Sequence, residues 1–153
     1  MQHEAERLVA LCRAGGVSEA RALVTFCGKQ PYGVAWKDAG CKAGVPAALV
    51  QAAKLVDTGL QEEAFRALGL LVTVHAENQS AAGAAGAVAL LVQLAKSSDA
   101  DLQKEAVRVL GSLVNCHAEN QSAAGAAGAV ALLMQLAQSS DAGLQKETVL
   151  VLG

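Results

Sequence analysis

The chain has 153 residues, enough for one domain with a substantial core. Apolar residues make up 53% of it but aromatic ones only 3%, so Ala, Leu and Val must do the packing. With 17% charged residues and a formal net charge of −2, it carries no field for holding a nucleic-acid backbone. The longest apolar run, 81–92, has 12 residues, whereas a membrane span needs about 20. Neither nucleic acid nor membrane is an expected partner.

In chain order, residues 1–16 carry Leu8, Val9 and Leu11 ahead of Ala14-Gly15-Gly16, a helix followed by a breaker. The opening MQHEAERLVALCRAGG has early acids and no long apolar core, unlike a secretory signal. Residues 17–27 read as a second short helix with Ser18 as its N-cap. Gly28-Lys29-Gln30-Pro31 ends it, because Pro31 cannot donate to a helix ladder and disfavours helical backbone at Gln30. The cysteines, Cys12, Cys27, Cys41 and Cys116, form no C-x-x-C pair and read as reduced thiols of a cytoplasmic or nuclear protein.

From residue 75 the chain writes one stretch twice. Aligned at an offset of 42, residues 75–111 and 117–153 agree at 32 of 37 positions. The five differences are Val92/Met134, Lys96/Gln138, Asp101/Gly143, Ala106/Thr148 and Arg108/Leu150. The preceding stretch, 33–74, matches 75–116 at 19 of 42 positions, where chance would give about two or three. A period of this length built from helix formers predicts an all-α fold of stacked helical repeats. The expected organisation is a single domain, 1–153. It comprises a degenerate partial unit, 1–32, full units at 33–74 and 75–116, and a truncated one at 117–153.

Each unit divides into three helices. The first, 78–85, stops at Gly86, which tolerates the positive φ of a C-cap. The second, 87–96, is apolar nearly all round and should be buried on most sides. Ser97-Ser98-Asp99 then breaks the helix and offers an N-cap. In the third, 101–115, Leu102, Ala106, Val109, Leu110 and Leu113 fall on one face and Lys104, Glu105, Arg108, Ser112 and Asn115 on the other. Stacking the units sets that polar stripe beside its copies, which makes it the candidate functional surface.

Asn78, Gly86-Ala87-Val88, Leu91, Asp99, Leu102-Gln103, Glu105-Ala106, Leu110 and Leu113 give the unit a pattern that resembles the armadillo repeat. Ala43-Gly44-Val45-Pro46-Ala47 with Leu49 looks like the same family's turn. The related HEAT repeat ranks second. The resemblance implies a right-handed superhelix of three-helix units, as in β-catenin and importin-α, whose third helices line a concave groove that binds extended protein segments without catalysis. Importin-like arrays carry a Trp and, four residues on, an Asn in that groove. Here the Trp position is Arg66, Arg108 or Leu150, and the Asn position is Leu70 or Ser112. That disfavours an import adaptor, which stands as the alternative beside a HEAT-like helical lyase, an enzyme-associated subunit or a structural spacer.

The candidate partner-binding residues are therefore Arg66, Leu70, Lys104, Arg108, Ser112, Asn115, Lys146 and Leu150. Arg66 and Arg108, with Lys104 and Lys146, would form a cationic row suited to an acidic or phosphorylated segment. The competing reading pairs Glu62 or Glu63 with Arg66, and Glu105 with Arg108, on a solvated face. His75 and His117, with Cys116, lie too far apart in a stack for one metal, since layers sit about 10 Å apart. Gly83-x-x-Gly86 follows no strand and lacks the Lys of a phosphate loop. Trp36 stands where later units have Asn78 and Asn120, and should pack against the degenerate first unit. No catalytic set, cofactor motif or metal site emerges. The last unit stops at Gly153 without a polar cap, so the expectation is a fragment of a longer array, or an end covered by a partner or by self-association with another copy.

Overall fold

A computed structural model describes residues 2–13, 16–30, 33–55 and 57–153. The described residues form eleven helices and no strands. Two precede the repeat, α1 (Gln2–Arg13) and α2 (Val17–Gly28). Then come α3 (Val34–Ala43), α4 (Val45–Ala52) and α5 (Thr58–Val72), followed by α6 (Ala76–Ala84), α7 (Ala87–Leu94) and α8 (Ala100–Val114). The last three are α9 (Ala118–Ala126), α10 (Ala129–Leu136) and α11 (Ala142–Leu152). Of the breakers read from the sequence, Ala14, Gly15 and Pro31 lie outside the described residues.

Local chemistry sets the boundaries. Gly44, Gly86 and Gly128 each separate a first helix from a second at φ of 78°, 88° and 78°. That left-handed backbone costs an L-residue roughly 1–2 kcal/mol and glycine almost nothing. Asp57, Asp99 and Asp141 cap the third helices, their carboxylates accepting from Leu60 N, from Asp101 N and Leu102 N, and from Leu144 N. His75 and His117 cap the first helices, each imidazole Nδ1 accepting at 3.3 Å from the backbone N–H of Asn78 or Asn120. The N-cap of α2 is Gly16, with no side-chain cap bond. The expected Ser18 cap is overturned, because the helix already begins at Val17 and leaves Ser18 inside its first turn.

Third helices pack in sequence, α2 on α5, α5 on α8 and α8 on α11, while α3, α6 and α9 stack behind them. Small residues set the spacing. A Cβ built on Gly69 would lie 3.1 Å from Val109 Cγ2, and one on Gly111 only 2.6 Å from Val151 Cγ2. The core runs continuously through the stack, with Leu49, Leu60, Phe65, Leu68, Leu91, Leu102, Leu110 and Leu113 all buried.

Asparagines sew one unit to the next. Asn78 Nδ2 donates to Lys37 O at 3.2 Å and to Leu71 O at 3.0 Å. One period on, Asn120 Nδ2 donates to Gln79 O and Leu113 O, both at 3.0 Å. Leu71 and Leu113 lie in the last turn of a third helix, where carbonyls lack an intrahelical partner. The same amide thus caps one helix and ties it to the next unit. Trp36 occupies this position in the first full unit. It is buried, and its ring meets that of Phe26 edge-on at 5.8 Å.

The corners after α5 and α8 are strained. Val74 and Cys116, one period apart, have φ of 52° and 57°. Val74 is 84% exposed, so its branched side chain gains little from packing. Val74→Asn, which suits this backbone region, is expected to raise unfolding free energy by about 1 kcal/mol. A urea titration would show it, and an unchanged or lower midpoint would refute the strain.

Candidate peptide groove

Two open clefts lie between successive third helices. The first, of about 430 Å³ between α2 and α5, is lined by Val24, Thr25, Lys29, Glu63, Arg66, Ala67 and Leu70. The second, of about 560 Å³ between α8 and α11, is lined by Arg108, Ser112, Asn115, Glu147, Leu150 and Val151, with Val74 and Cys116 at its rim. Between them the α5–α8 contact is tight, since a Cβ on Gly69 would lie 2.8 Å from the Arg108 guanidinium.

The structure thus divides the candidate residues. Arg66 and Leu70 share the first cleft, and Arg108, Ser112, Asn115 and Leu150 share the second. Lys104 and Lys146 line neither cleft. Lys104 instead holds Asp141 at 2.9 Å, bridging α8 to the cap of α11. The Leu144 N–H, then Lys104, keep the Asp141 carboxyl below its usual range, and Asp141 in turn raises the pKa of the Lys104 ammonium. That support for the cap is present above the ordinary carboxylate pKa and is lost as pH falls.

The arginines differ. Arg108 is clamped by Glu105, through Nε at 3.1 Å and Nη2 at 2.5 Å. The Glu105 hydrogen bond, with Glu147 adding to it from α11, raises the Arg108 pKa and keeps it cationic. Arg66 is exposed and makes no ion pair among the described residues, so the expected partnership with Glu62 or Glu63 is absent. Sequence reasoning missed Lys29, Glu63 and Glu147 as cleft-lining residues. Glu63 and Glu147 were legible by register, both matching Glu105, but Lys29 lies in the unit whose register is eroded.

The cysteine and histidine side chains have structural surroundings. Burial pushes the Cys27 thiol up to about 12, the opposite of an activated nucleophile. His75 and His117 are spent on helix caps, and His75 Nε2 also meets Asp38 Oδ1 at 2.9 Å. Among the described residues no group of three His, Cys, Asp or Glu is disposed to hold a metal. No helix among them is long and apolar enough to cross a membrane. Trp36 is too deeply buried to stack on a ligand.

The sequence profile of the Armadillo/beta-catenin-like repeat matches residues 75–114. No curated protein matches the chain. Among solved structures, an engineered protein is 32% identical at a TM-score of 0.81, over 97% of this chain and 61% of its own. A designed armadillo repeat protein in complex with the peptide (KR)4 is 22% identical at a TM-score of 0.83, over 96% and 62%. Computationally designed armadillo repeat proteins for modular peptide recognition are similar at 18% identity and a TM-score of 0.83, over 95% and 62%. The chain therefore spans less than two thirds of the length of each of these structures. With an all-helical stack, a 42-residue period and a matching repeat unit at residues 75–114, the chain has the fold of armadillo-repeat proteins.

Proposed function

We propose that this chain is a non-catalytic scaffold that binds an extended segment of a partner protein along α2, α5, α8 and α11. The observation that carries the reading is the pair of open clefts between third helices, each combining apolar walls with polar side chains at its mouth. Arg66, Leu70, Arg108, Ser112, Asn115 and Leu150 are the contacts, with Lys104 and Lys146 acting at the margin. A designed armadillo protein of the same fold holds a peptide, which supports this use of the surface. The unpaired Arg66 favours an acidic residue in the segment. On this reading residues 1–153 act as one domain, with a partial unit at 1–32 followed by units 33–74, 75–116 and 117–153, inside the cell. An importin-like adaptor remains disfavoured, since Arg66 and Arg108 stand at the Trp position.

Fluorescence anisotropy with labelled extended peptides tests the reading. Arg66→Glu is expected to weaken acidic peptides about fivefold in a salt-sensitive way, as an exposed ion pair turned repulsive would. Leu150→Ala should weaken binding through the other cleft by removing apolar wall. Binding indifferent to both substitutions would place the ligand elsewhere, and binding of no peptide at all would favour a spacer.

Self-association is the second reading. Val130, Met134, Val149 and Leu152 are 42–58% exposed, whereas their counterparts Val88, Val92, Val107 and Leu110 are buried by the next unit. Light scattering over rising concentration would reveal it, with Met134→Lys abolishing the association. A chain that stays monomeric throughout would end this reading.

A further inference from the structure

The two clefts are not electrically alike. The α2–α5 cleft holds Lys29 and Arg66 against one carboxylate, Glu63. None of the three makes an ion pair among the described residues, and all three are exposed. The α8–α11 cleft holds Arg108 and Glu147, and Arg108 is already clamped by Glu105. The balance is one surplus positive charge at the first cleft and one surplus negative charge at the second.

The repeat explains how this arose. Glu63, Glu105 and Glu147 occupy one register position, while Arg66, Arg108 and Leu150 occupy another, three residues on. In the second full unit the acid and base satisfy each other across one helical turn. In the last unit the base has become Leu150, so Glu147 loses its partner and faces Arg108 across the helix boundary. At the opposite end Lys29, at the C-terminal cap of α2, adds a cation beside Arg66. The row is thereby charged differently at its two ends.

We infer that the groove selects a segment whose charges are segregated. An acidic residue seats at the α2–α5 cleft and a basic one at the α8–α11 cleft, where apolar Leu150 and Val151 pack its aliphatic stem and Glu147 takes its charge. The clefts are two helix layers apart, about 20 Å at roughly 10 Å per layer. An extended chain rises about 3.3 Å per residue, so about six residues separate the two charges. This rests on the groove being the binding surface, and it goes further by naming the charge order and spacing of the ligand.

The test uses four labelled peptides on the intact chain. One carries an acidic pair and a basic pair about six residues apart. A second has the same composition with the signs alternating, a third is all acidic and a fourth all basic. The segregated peptide should bind about fivefold tighter than its alternating isomer, and added salt should erase the difference. Lys29→Glu/Arg66→Glu should turn the preference to the basic peptide, and Glu147→Lys should turn it to the acidic one. Both sets lie on exposed or half-exposed positions, and an unchanged circular dichroism spectrum would show that the variants fold. Equal binding of all four peptides, or a preference that survives both reversals, overturns the charge order while groove binding stands. Binding of none overturns both.

Discussion

Trp36→Asn, which would make the first full unit conform to the later ones, is expected to destabilise the protein by about 3–5 kcal/mol. By the logic of a repeat, restoring the shared residue should help, since Asn78 and Asn120 each make two hydrogen bonds from this position. The surroundings reverse that expectation. Asn78 reaches the backbone of α3 in the unit before it, whereas α3 packs on α1, which is built differently. The space that holds the indole is apolar and closed by Phe26, and Trp36 keeps only 1% of its surface exposed. An asparagine there would leave a cavity and bury an unpaired amide. The indole N–H itself has no acceptor among the described residues, so Trp36 stays for its area rather than for a bond. Trp36→Phe should therefore cost far less, about 1 kcal/mol, by keeping most of the apolar contact. Urea unfolding followed by far-UV circular dichroism separates the cases. An asparagine variant as stable as the parent would mean that the unit, not the junction, determines this site.

The contrast between Trp36 and its counterparts shows what the sequence disclosed and why it stopped there. Helix identity was legible because its causes are local: the glycine after each first helix, the aspartate before each third, and the apolar period between. Which side of each third helix faces outward was legible for the same reason, since Arg66 and Arg108 lie opposite the buried stripe of their own helices. Pairing across units was not legible. Whether Lys104 points into a cleft or onto Asp141 depends on how far α11 is displaced from α8. Glu147 reads as a copy of Glu105, yet Leu150 changes what it faces. Lys29 needed a register that the first 32 residues no longer carry.

Stacking can also reverse the sign of the same substitution in the same words of sequence. Gly83 and Gly125 each sit in the stretch SAAGAAGAV and near the end of a first helix. Glycine in a helix is normally worse than alanine by about 1 kcal/mol. At Gly125 nothing lies within 4 Å of an added Cβ, so Gly125→Ala should stabilise by up to about that amount. At Gly83 the added Cβ would lie 2.0 Å from Asn120 Oδ1 and 3.0 Å from its Cγ. That amide cannot swing away without giving up its bonds to Gln79 O and Leu113 O in a buried setting. Gly83→Ala is therefore expected to destabilise by about 1–3 kcal/mol. Asn120→Ala, which strips both bonds, should cost about 2–4 kcal/mol. The decisive quantity is the double variant. With the amide gone the Gly83 methyl has room, so the two losses should fall short of additivity by 1 kcal/mol or more, on the order expected for residues in contact. Additive losses would mean that the two sites do not touch, and a stabilising Gly83→Ala would mean that the asparagine seam between units yields more easily than its geometry implies.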